Sequence, residues 1–148
     1  MAVNPDLVGR AFPPTPPYLV GREKVREFAR AVFADAPQHT DVEAARALGY
    51  ADVVAPPTFA IVIQELTLRQ LMSTPDSGIA LERTVHGEQR FRWTRPIVAG
   101  DELTAQLAVT QIRALGANAM VTSETEIRDA SGAHVVTATS VLVIGGDE

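Results

Sequence analysis

The chain has 148 residues, of which 46% are hydrophobic and 21% are charged, and it carries a formal net charge of −5. This size and composition are typical of a single globular domain, here residues 1–148, and exclude an intrinsically disordered chain. The absence of cysteine excludes disulfides, thiolate zinc sites and a cysteine nucleophile, and the net negative charge argues against a nucleic-acid partner.

The sequence predicts neither a membrane-spanning helix nor a secretion signal. The longest apolar stretch, residues 59–72, is interrupted by polar side chains and falls short of the roughly 20 apolar residues of a membrane helix. The first ten residues contain neither a signal-peptide stretch nor a lipidation motif. We therefore expect a cytoplasmic protein without a membrane partner.

The first third of the chain predicts a short strand and two helices. Four prolines between residues 13 and 17 exclude a helix there, and residues 18–20 follow as a strand candidate. Apolar residues at helical spacing predict a helix over residues 22–37, ended by its last residue, a proline. A second, short helix is predicted over residues 42–48, with Gly49 at its C-cap.

A third helix, predicted over residues 59–72, is the most apolar one. Apolar side chains lie on most of its sides, which is the pattern of a buried helix. Thr58 precedes it as a predicted N-cap. We expect Glu65 to form an ion pair with Arg69, one turn later, and not to act as a catalytic acid.

Four strands are predicted in the remaining sequence, over residues 85–93, 102–113, 119–128 and 135–144. Alternation in the first of them assigns one face to His86, Glu88, Arg90 and Arg92 and the other to Gln89, Phe91 and Trp93. An antiparallel meander that follows one buried helix indicates an α+β protein, in which a curved sheet wraps around that helix.

Three stretches, residues 35–41, 55–59 and 96–103, resemble MaoC-like dehydratases of the fungal-synthase-like type. The resemblance extends over nearly the whole chain, and within the family it is strongest to the A subunit of heterodimeric (3R)-hydroxyacyl-ACP dehydratases. It implies the hot-dog fold, an antiparallel sheet wrapped around a buried helix. It also implies a dimer in which residues 85–93 of two chains join the sheets edge to edge.

The family's reaction is the reversible loss of water from a (3R)-3-hydroxyacyl thioester, which gives the trans-2-enoyl thioester. The resemblance therefore implies a lyase of fatty-acid metabolism whose substrate is carried on CoA or acyl carrier protein, with no metal or organic cofactor. Its expected partners are the acyl-thioester substrate, an acyl carrier protein, and a second hot-dog chain. That second chain is either a copy of this one or a subunit with an intact catalytic motif.

Active members of the family carry the motif Asp-x-Asn-Pro-x-His, whose histidine and carboxylate share the base and acid roles. Here Pro37 and His39 match the motif, whereas Ala34 and Ala36 stand at the aspartate and asparagine positions. The nearest acid is Asp35, one residue late. His39 and Asp35 are therefore the catalytic candidates, with Asp35 displaced.

The thioester oxygen in active members accepts hydrogen bonds from backbone N–H groups near the start of the buried helix. Pro57 stands where these members often carry glycine, and proline has no N–H to donate. The resemblance nevertheless assigns substrate binding to five residues of this region: Pro57, Thr58, Phe59, Val62 and Ile63. Some of their side chains are expected to line an acyl channel.

Each of these residues also has a simpler interpretation. His39 could be a solvated loop histidine and Asp35 an ordinary turn residue. Four arginines could contact CoA phosphates or a carrier protein, or could simply be solvated: Arg83, Arg90, Arg92 and Arg95. We therefore expect a dehydratase subunit that is weak or inactive alone, with a non-catalytic acyl-binding module and, less favoured, a hot-dog thioesterase as alternatives.

Overall fold

The computed structural model describes residues 2–146. Within this range the chain forms three α-helices and five strands, together with short 3-10 turns at Pro37–His39 and Pro57–Phe59. In chain order the elements are β1 (Tyr18–Leu19), α1 (Arg22–Ala31), α2 (Val42–Ala47), α3 (Ala60–Met72), β2 (Thr84–Trp93), β3 (Glu102–Leu115), β4 (Asn118–Arg128) and β5 (His134–Ile144).

The strands form one antiparallel sheet in the order β1-β3-β4-β5-β2. The predicted meander is right for β3, β4 and β5 but wrong for β2. That strand pairs with β5 and not with β3, the next strand along the chain. Residues 94–101 carry the chain across the sheet between them. As a result, β2 forms an edge of the sheet.

Helix α3 packs against β3, β4 and β5, so the predicted α+β hot-dog architecture is confirmed. One face of the helix is buried, and the fully buried Phe59 and Ile63 belong to an apolar cluster near its N-terminus. Leu68 and Leu71 belong to a second cluster near its C-terminus. Burial of each such side chain contributes roughly 1.5–3 kcal/mol, so the helix is held mainly by its contact with the sheet.

The opposite face of α3 is more open, although the sequence predicts apolar residues nearly all round. Val62 is only partly buried, and Glu65 and Arg69 are exposed. The predicted ion pair between these two is confirmed, with Glu65 Oε1 and Arg69 Nη2 2.7 Å apart. None of the helices within residues 2–146 is long and apolar enough to span a membrane.

Helix α1 ends at Ala31, so the predicted continuation to Pro37 is wrong. Phe33 adopts a left-handed conformation with φ 57°, which turns the backbone out of the helix. Two bonds complete this C-cap: Ala34 N–H donates to the Ala29 carbonyl and Phe33 N–H to the Arg30 carbonyl. This pattern is a Schellman motif, which usually has glycine at the left-handed position.

Two further local predictions are wrong. Thr58 is not an N-cap, because it lies inside the 3-10 turn Pro57–Phe59 and no side chain caps α3. A β-bulge at Gly87 shifts the register of β2, so His86 faces the same side as Gln89 and not the side of Glu88. His86 Nε2 lies 3.0 Å from Gln89 Oε1 and 3.2 Å from Ser140 Oγ.

Candidate functional site

A pocket of about 390 Å³ opens where two loops meet the end of β2. One wall is His39 with residues 54–57, and the other is residues 93–97. Most of the lining side chains are apolar, and His39 and Arg95 are its titratable members. A concave, mainly apolar site with a few polar groups is the usual form of a small-molecule binding site.

His39 ends the turn Pro37–His39 and is only 8% exposed, so it is not a solvated loop histidine. Its Nδ1 lies 2.6 Å from the carbonyl oxygen of Val54. A carbonyl oxygen can only accept, so Nδ1 carries the proton in this bond. In the neutral ring Nε2 then keeps its lone pair, which makes His39 able to accept a proton.

The segment around Val54 joins the two walls of the pocket. Val54 N–H donates to the Gln38 carbonyl at 2.9 Å, and Ala55 N–H donates to the Ile97 carbonyl at 2.8 Å. Ala99 N–H donates in turn to the Val53 carbonyl at 3.0 Å. The carbonyl that holds His39 therefore belongs to a strip of backbone fixed on both sides.

Arg95 anchors the second wall. Its guanidinium donates to both carboxylate oxygens of Asp101, at 2.8 and 3.0 Å, and to Asp129 at 3.3 Å. The pKa of Asp129 is lowered to about 2, first by the Ser131 hydroxyl and then by Arg95 and backbone N–H groups. These bonds tie Arg95 to Asp101 and Asp129, which favours a structural role over a contact with phosphate.

Two of the predicted site residues lie together at the pocket, His39 and Pro57. Asp35 is exposed and is not among the lining residues. Phe59 and Ile63 have no exposed surface, whereas Val62 is partly buried against the same cluster. Thr58 is exposed beside Pro57. Their roles in catalysis and substrate binding stay predictions.

The other three arginines that were predicted as possible ligand contacts lie away from the pocket. Arg90 forms an ion pair with Glu88 at 3.0 Å, and Arg83 donates to the Gly145 carbonyl at 3.1 Å. Arg92 is exposed on β2. None of these three is among the residues described as lining the pocket.

Several wall residues were not predicted as site residues: Val54, Trp93, Thr94, Pro96 and Ile97. Residues 96 and 97 lie in a stretch that resembles the family, which was the only signal available for them. Trp93 ends β2, whose place in the sheet is set by its pairing with β5, and there it lines the pocket. That pairing is a long-range contact, and the local sequence carries no mark of it.

Comparison with known proteins identifies the family. The FAS1-like dehydratase domain region matches residues 6–138. A UPF0336 protein of Leifsonia xyli subsp. xyli is 63% identical over 146 residues, which cover 99% of this chain and 98% of that protein. Both matches span most of the chain.

Solved structures agree with this assignment. The C-terminally truncated HadBC complex of Mycobacterium tuberculosis, a (3R)-hydroxyacyl-ACP dehydratase, is 32% identical with a TM-score of 0.80, and the match covers 90% of this chain and 92% of that one. A MaoC-like dehydratase is 37% identical with a TM-score of 0.85, over 94% of this chain and 42% of that one. The chain therefore belongs to the FAS1-like, MaoC-related family of hot-dog dehydratases.

Proposed function

We propose that the chain is a subunit of a (3R)-3-hydroxyacyl-thioester dehydratase of fatty-acid metabolism, and that a hot-dog partner supplies most of the catalysis. One observation carries the proposal: the described residues that line the pocket include a buried, oriented histidine but no carboxylate. The HadBC relative, a (3R)-hydroxyacyl-ACP dehydratase complex, supports the same reaction class.

The reaction needs a base and an acid. A proton leaves C2 of the 3-hydroxyacyl thioester, the C3–O bond breaks, and a C2=C3 double bond forms. The hydroxyl departs as water after it takes up a proton. Nε2 of His39 can accept the C2 proton, but a single imidazole provides only one of the two roles at a time.

None of the described residues that line this pocket is a carboxylic acid that could take the acid role. Ala34 and Ala36 stand at the motif positions that bear polar side chains in active members. Asp35 is exposed and is not among the residues that line the pocket. Pro57, which does line it, has no N–H to offer to the thioester oxygen. This chain therefore retains a base and binding walls, and we assign the full set of groups to a partner.

The edge strand β2 is where we place that partner. Its outer edge has no strand beside it within residues 2–146, and such an edge favours pairing with another chain. Trp93 lies at the end of β2 and lines the pocket, so a chain added there would lie beside the pocket. The partner is a second copy or a hot-dog subunit with an intact motif, and the acyl group is carried on CoA or acyl carrier protein.

Hydration of a trans-2-enoyl-CoA, with this chain alone and with a motif-bearing hot-dog partner, tests the proposal. Loss of the acid and of one oxyanion donor should make the lone chain about four orders of magnitude or more slower than the pair. We expect the lone chain's slow turnover to require His39. The activity of the pair should survive His39→Ala in this chain.

Rapid turnover by the lone chain that His39→Ala abolishes would refute the partner requirement and would give the acid role to Asp35. An active pair combined with no His39-dependent turnover in the lone chain would support the alternative, a non-catalytic acyl-binding and assembly module. Release of free CoA from an acyl-CoA would indicate a thioesterase. We expect none, because Glu65 on α3 is paired with Arg69.

A further inference from the structure

Helix α1 carries two arginines, Arg22 and Arg26, that each hold one of the two segments around His39. They lie four residues apart, so both side chains emerge from the same face of the helix. Arg22 reaches Asp52, two residues before the carbonyl that binds the imidazole. Arg26 reaches the carbonyl of Thr40, the residue directly after His39.

Arg22 binds the segment that contains the hydrogen-bond acceptor of His39, the Val54 carbonyl. Its Nε and Nη2 donate to the Asp52 carboxylate at 2.9 and 2.8 Å, and that carboxylate accepts from Val53 N–H at 2.8 Å. The Arg22 hydrogen bond lowers the pKa of Asp52, which is consistent with a tightly held pair. Arg22 thus anchors the Asp52–Val53 peptide group, one peptide group before that of Val53–Val54, to α1.

Arg26 binds the segment that contains the hydrogen-bond donor, His39 itself. Its Nε donates to the Thr40 carbonyl at 2.9 Å, while Thr40 N–H closes the turn by donating to the Pro37 carbonyl at 3.1 Å. Arg26 also forms an ion pair with Glu23 on its own helix. The guanidinium therefore ties the end of the turn that carries His39 to the same helix face as Arg22.

We propose that Arg22 and Arg26 are positioning residues that keep the proton of His39 on Nδ1. The imidazole holds this tautomer only while Nδ1 and the Val54 carbonyl oxygen stay within hydrogen-bond distance, now 2.6 Å. If either segment shifts, the neutral ring is free to place its proton on Nε2. The Nε2 lone pair, which serves as the base in the proposed reaction, is then lost. The catalytic meaning of this arrangement rests on the proposed function, but the tautomer itself does not.

The helix supplies a matched control. Arg30 follows Arg26 by one turn and is exposed, and among residues 2–146 no ion pair or hydrogen bond of its side chain is found. Arg30→Met therefore removes the same charge and the same side-chain bulk from α1. It should leave both segments around His39 in place.

Nitrogen-15 NMR of the histidine rings tests the proposal directly. The chain has three histidines, so His39→Ala assigns the signal. The spectra are recorded at about pH 8, above the ordinary pKa of an imidazole. We expect the wild-type protein and Arg30→Met to show His39 protonated at Nδ1. Arg22→Met and Arg26→Met should show a substantial fraction protonated at Nε2. Wild-type tautomer signals in both of these variants would overturn the proposal.

The kinetic readout is the slow hydration by the lone chain. We expect kcat to fall by roughly tenfold to a hundredfold in Arg22→Met and in Arg26→Met, with KM little changed, because a displaced base affects the reaction step. Arg30→Met should keep the wild-type kcat. If the tautomer shifts as expected while no variant shows His39-dependent turnover, the proposed function fails and the positioning role stands.

Lysine variants keep the test decisive if a methionine variant does not fold. Arg26 makes one bond to a carbonyl, so Arg26→Lys can replace it and should restore the wild-type tautomer. Arg22 binds its carboxylate through two nitrogens, a geometry that lysine lacks, so Arg22→Lys should restore it only in part. Equal and complete restoration by both lysines would show that charge alone suffices and would contradict the geometric role.

Discussion

Phe33 is the residue at which local strain is most evident. It is 90% exposed and has a positive φ, a conformation that costs a residue with a Cβ roughly 1–2 kcal/mol. Its ring gains almost nothing from burial in the single chain. The strain is accepted because the left-handed turn directs the chain out of α1 towards the turn that carries His39.

Phe33→Gly should therefore raise the free energy of unfolding by roughly 0.5–1 kcal/mol, the steric relief being partly offset by the entropy of glycine in the unfolded chain. Phe33→Ala is the control, since alanine keeps the Cβ and its strain. Urea denaturation of both variants measures the difference. A lower stability of Phe33→Gly would mean that the ring is covered in the assembled protein.

Asp129 gives a prediction about pH at the same scale. Its pKa in the folded chain is about 2, below the ordinary value of 3.8, so folding favours its ionised form. The resulting stabilisation is complete above that ordinary value and is lost as the pH falls to about 2. Asp129→Asn should therefore flatten the dependence of stability on pH across this interval.

Thermal unfolding between about pH 4 and pH 2 checks this expectation. Ser131→Ala removes the first of the hydrogen bonds that lower the pKa, so it should flatten the same curve in part. Curves for the wild-type protein and Asp129→Asn that run parallel over the whole interval would rule the explanation out.

At the scale of elements, α3 divides its side chains between core and surface by their position around the helix. Ile63 points into the apolar cluster with no exposed area, whereas its neighbour Val62 is partly exposed. Both were predicted to contact substrate. Of the two, only Val62 has exposed surface through which to make such a contact.

Val62→Trp should leave the fold intact and shift the acyl-chain preference towards shorter enoyl substrates. The reason is that the indole would occupy space beside the apolar cluster that contains Phe59 and Ile63. Ile63→Trp is the contrasting variant and should unfold the chain, since an added ring has no space at a fully buried position. Circular dichroism and hydration of enoyl-CoA substrates of increasing length, with the partner present, give both readouts. Unfolding of Val62→Trp would make that position part of the solid core.

At the scale of the whole molecule, the main open feature is the free edge of β2. Val85 on this strand is 66% exposed and Trp93 is 42% exposed, so the edge presents apolar side chains as well as free backbone groups. Proteins seldom leave a long edge strand uncovered, because it pairs readily with other chains.

Val85→Arg should therefore raise the Kd of self-association, or of association with a hot-dog partner, by at least tenfold. The reason is that the added charge would have to be desolvated at the interface between the two chains. Leu115→Arg is the control: Leu115 is 50% exposed but lies at the end of β3, on the opposite side of the sheet from β2. Light scattering across a concentration series measures both. A wild-type chain that is strictly monomeric at micromolar concentration, with and without a partner, would contradict this assembly.

The sequence by itself determined the elements whose pattern is local. Apolar periodicity predicted α3 and the strands β3, β4 and β5 close to their observed bounds, and the motif around Pro37 and His39 indicated the family. These features depend on residues a few positions apart, whose spacing is visible in the sequence. The altered motif likewise predicts that a catalytic acid is missing, and this stays a prediction.

Only the tertiary structure decided which distant segments meet. The pairing of β2 with β5, and hence the place of Trp93 in the pocket, depends on contacts across the sheet that leave no local pattern. The tautomer of His39 is set by the carbonyl of Val54, 15 residues away, which α1 helps to hold. A periodic pattern predicts which side chains are buried. It does not predict which backbone group each of them contacts, because that contact depends on how distant segments pack against one another.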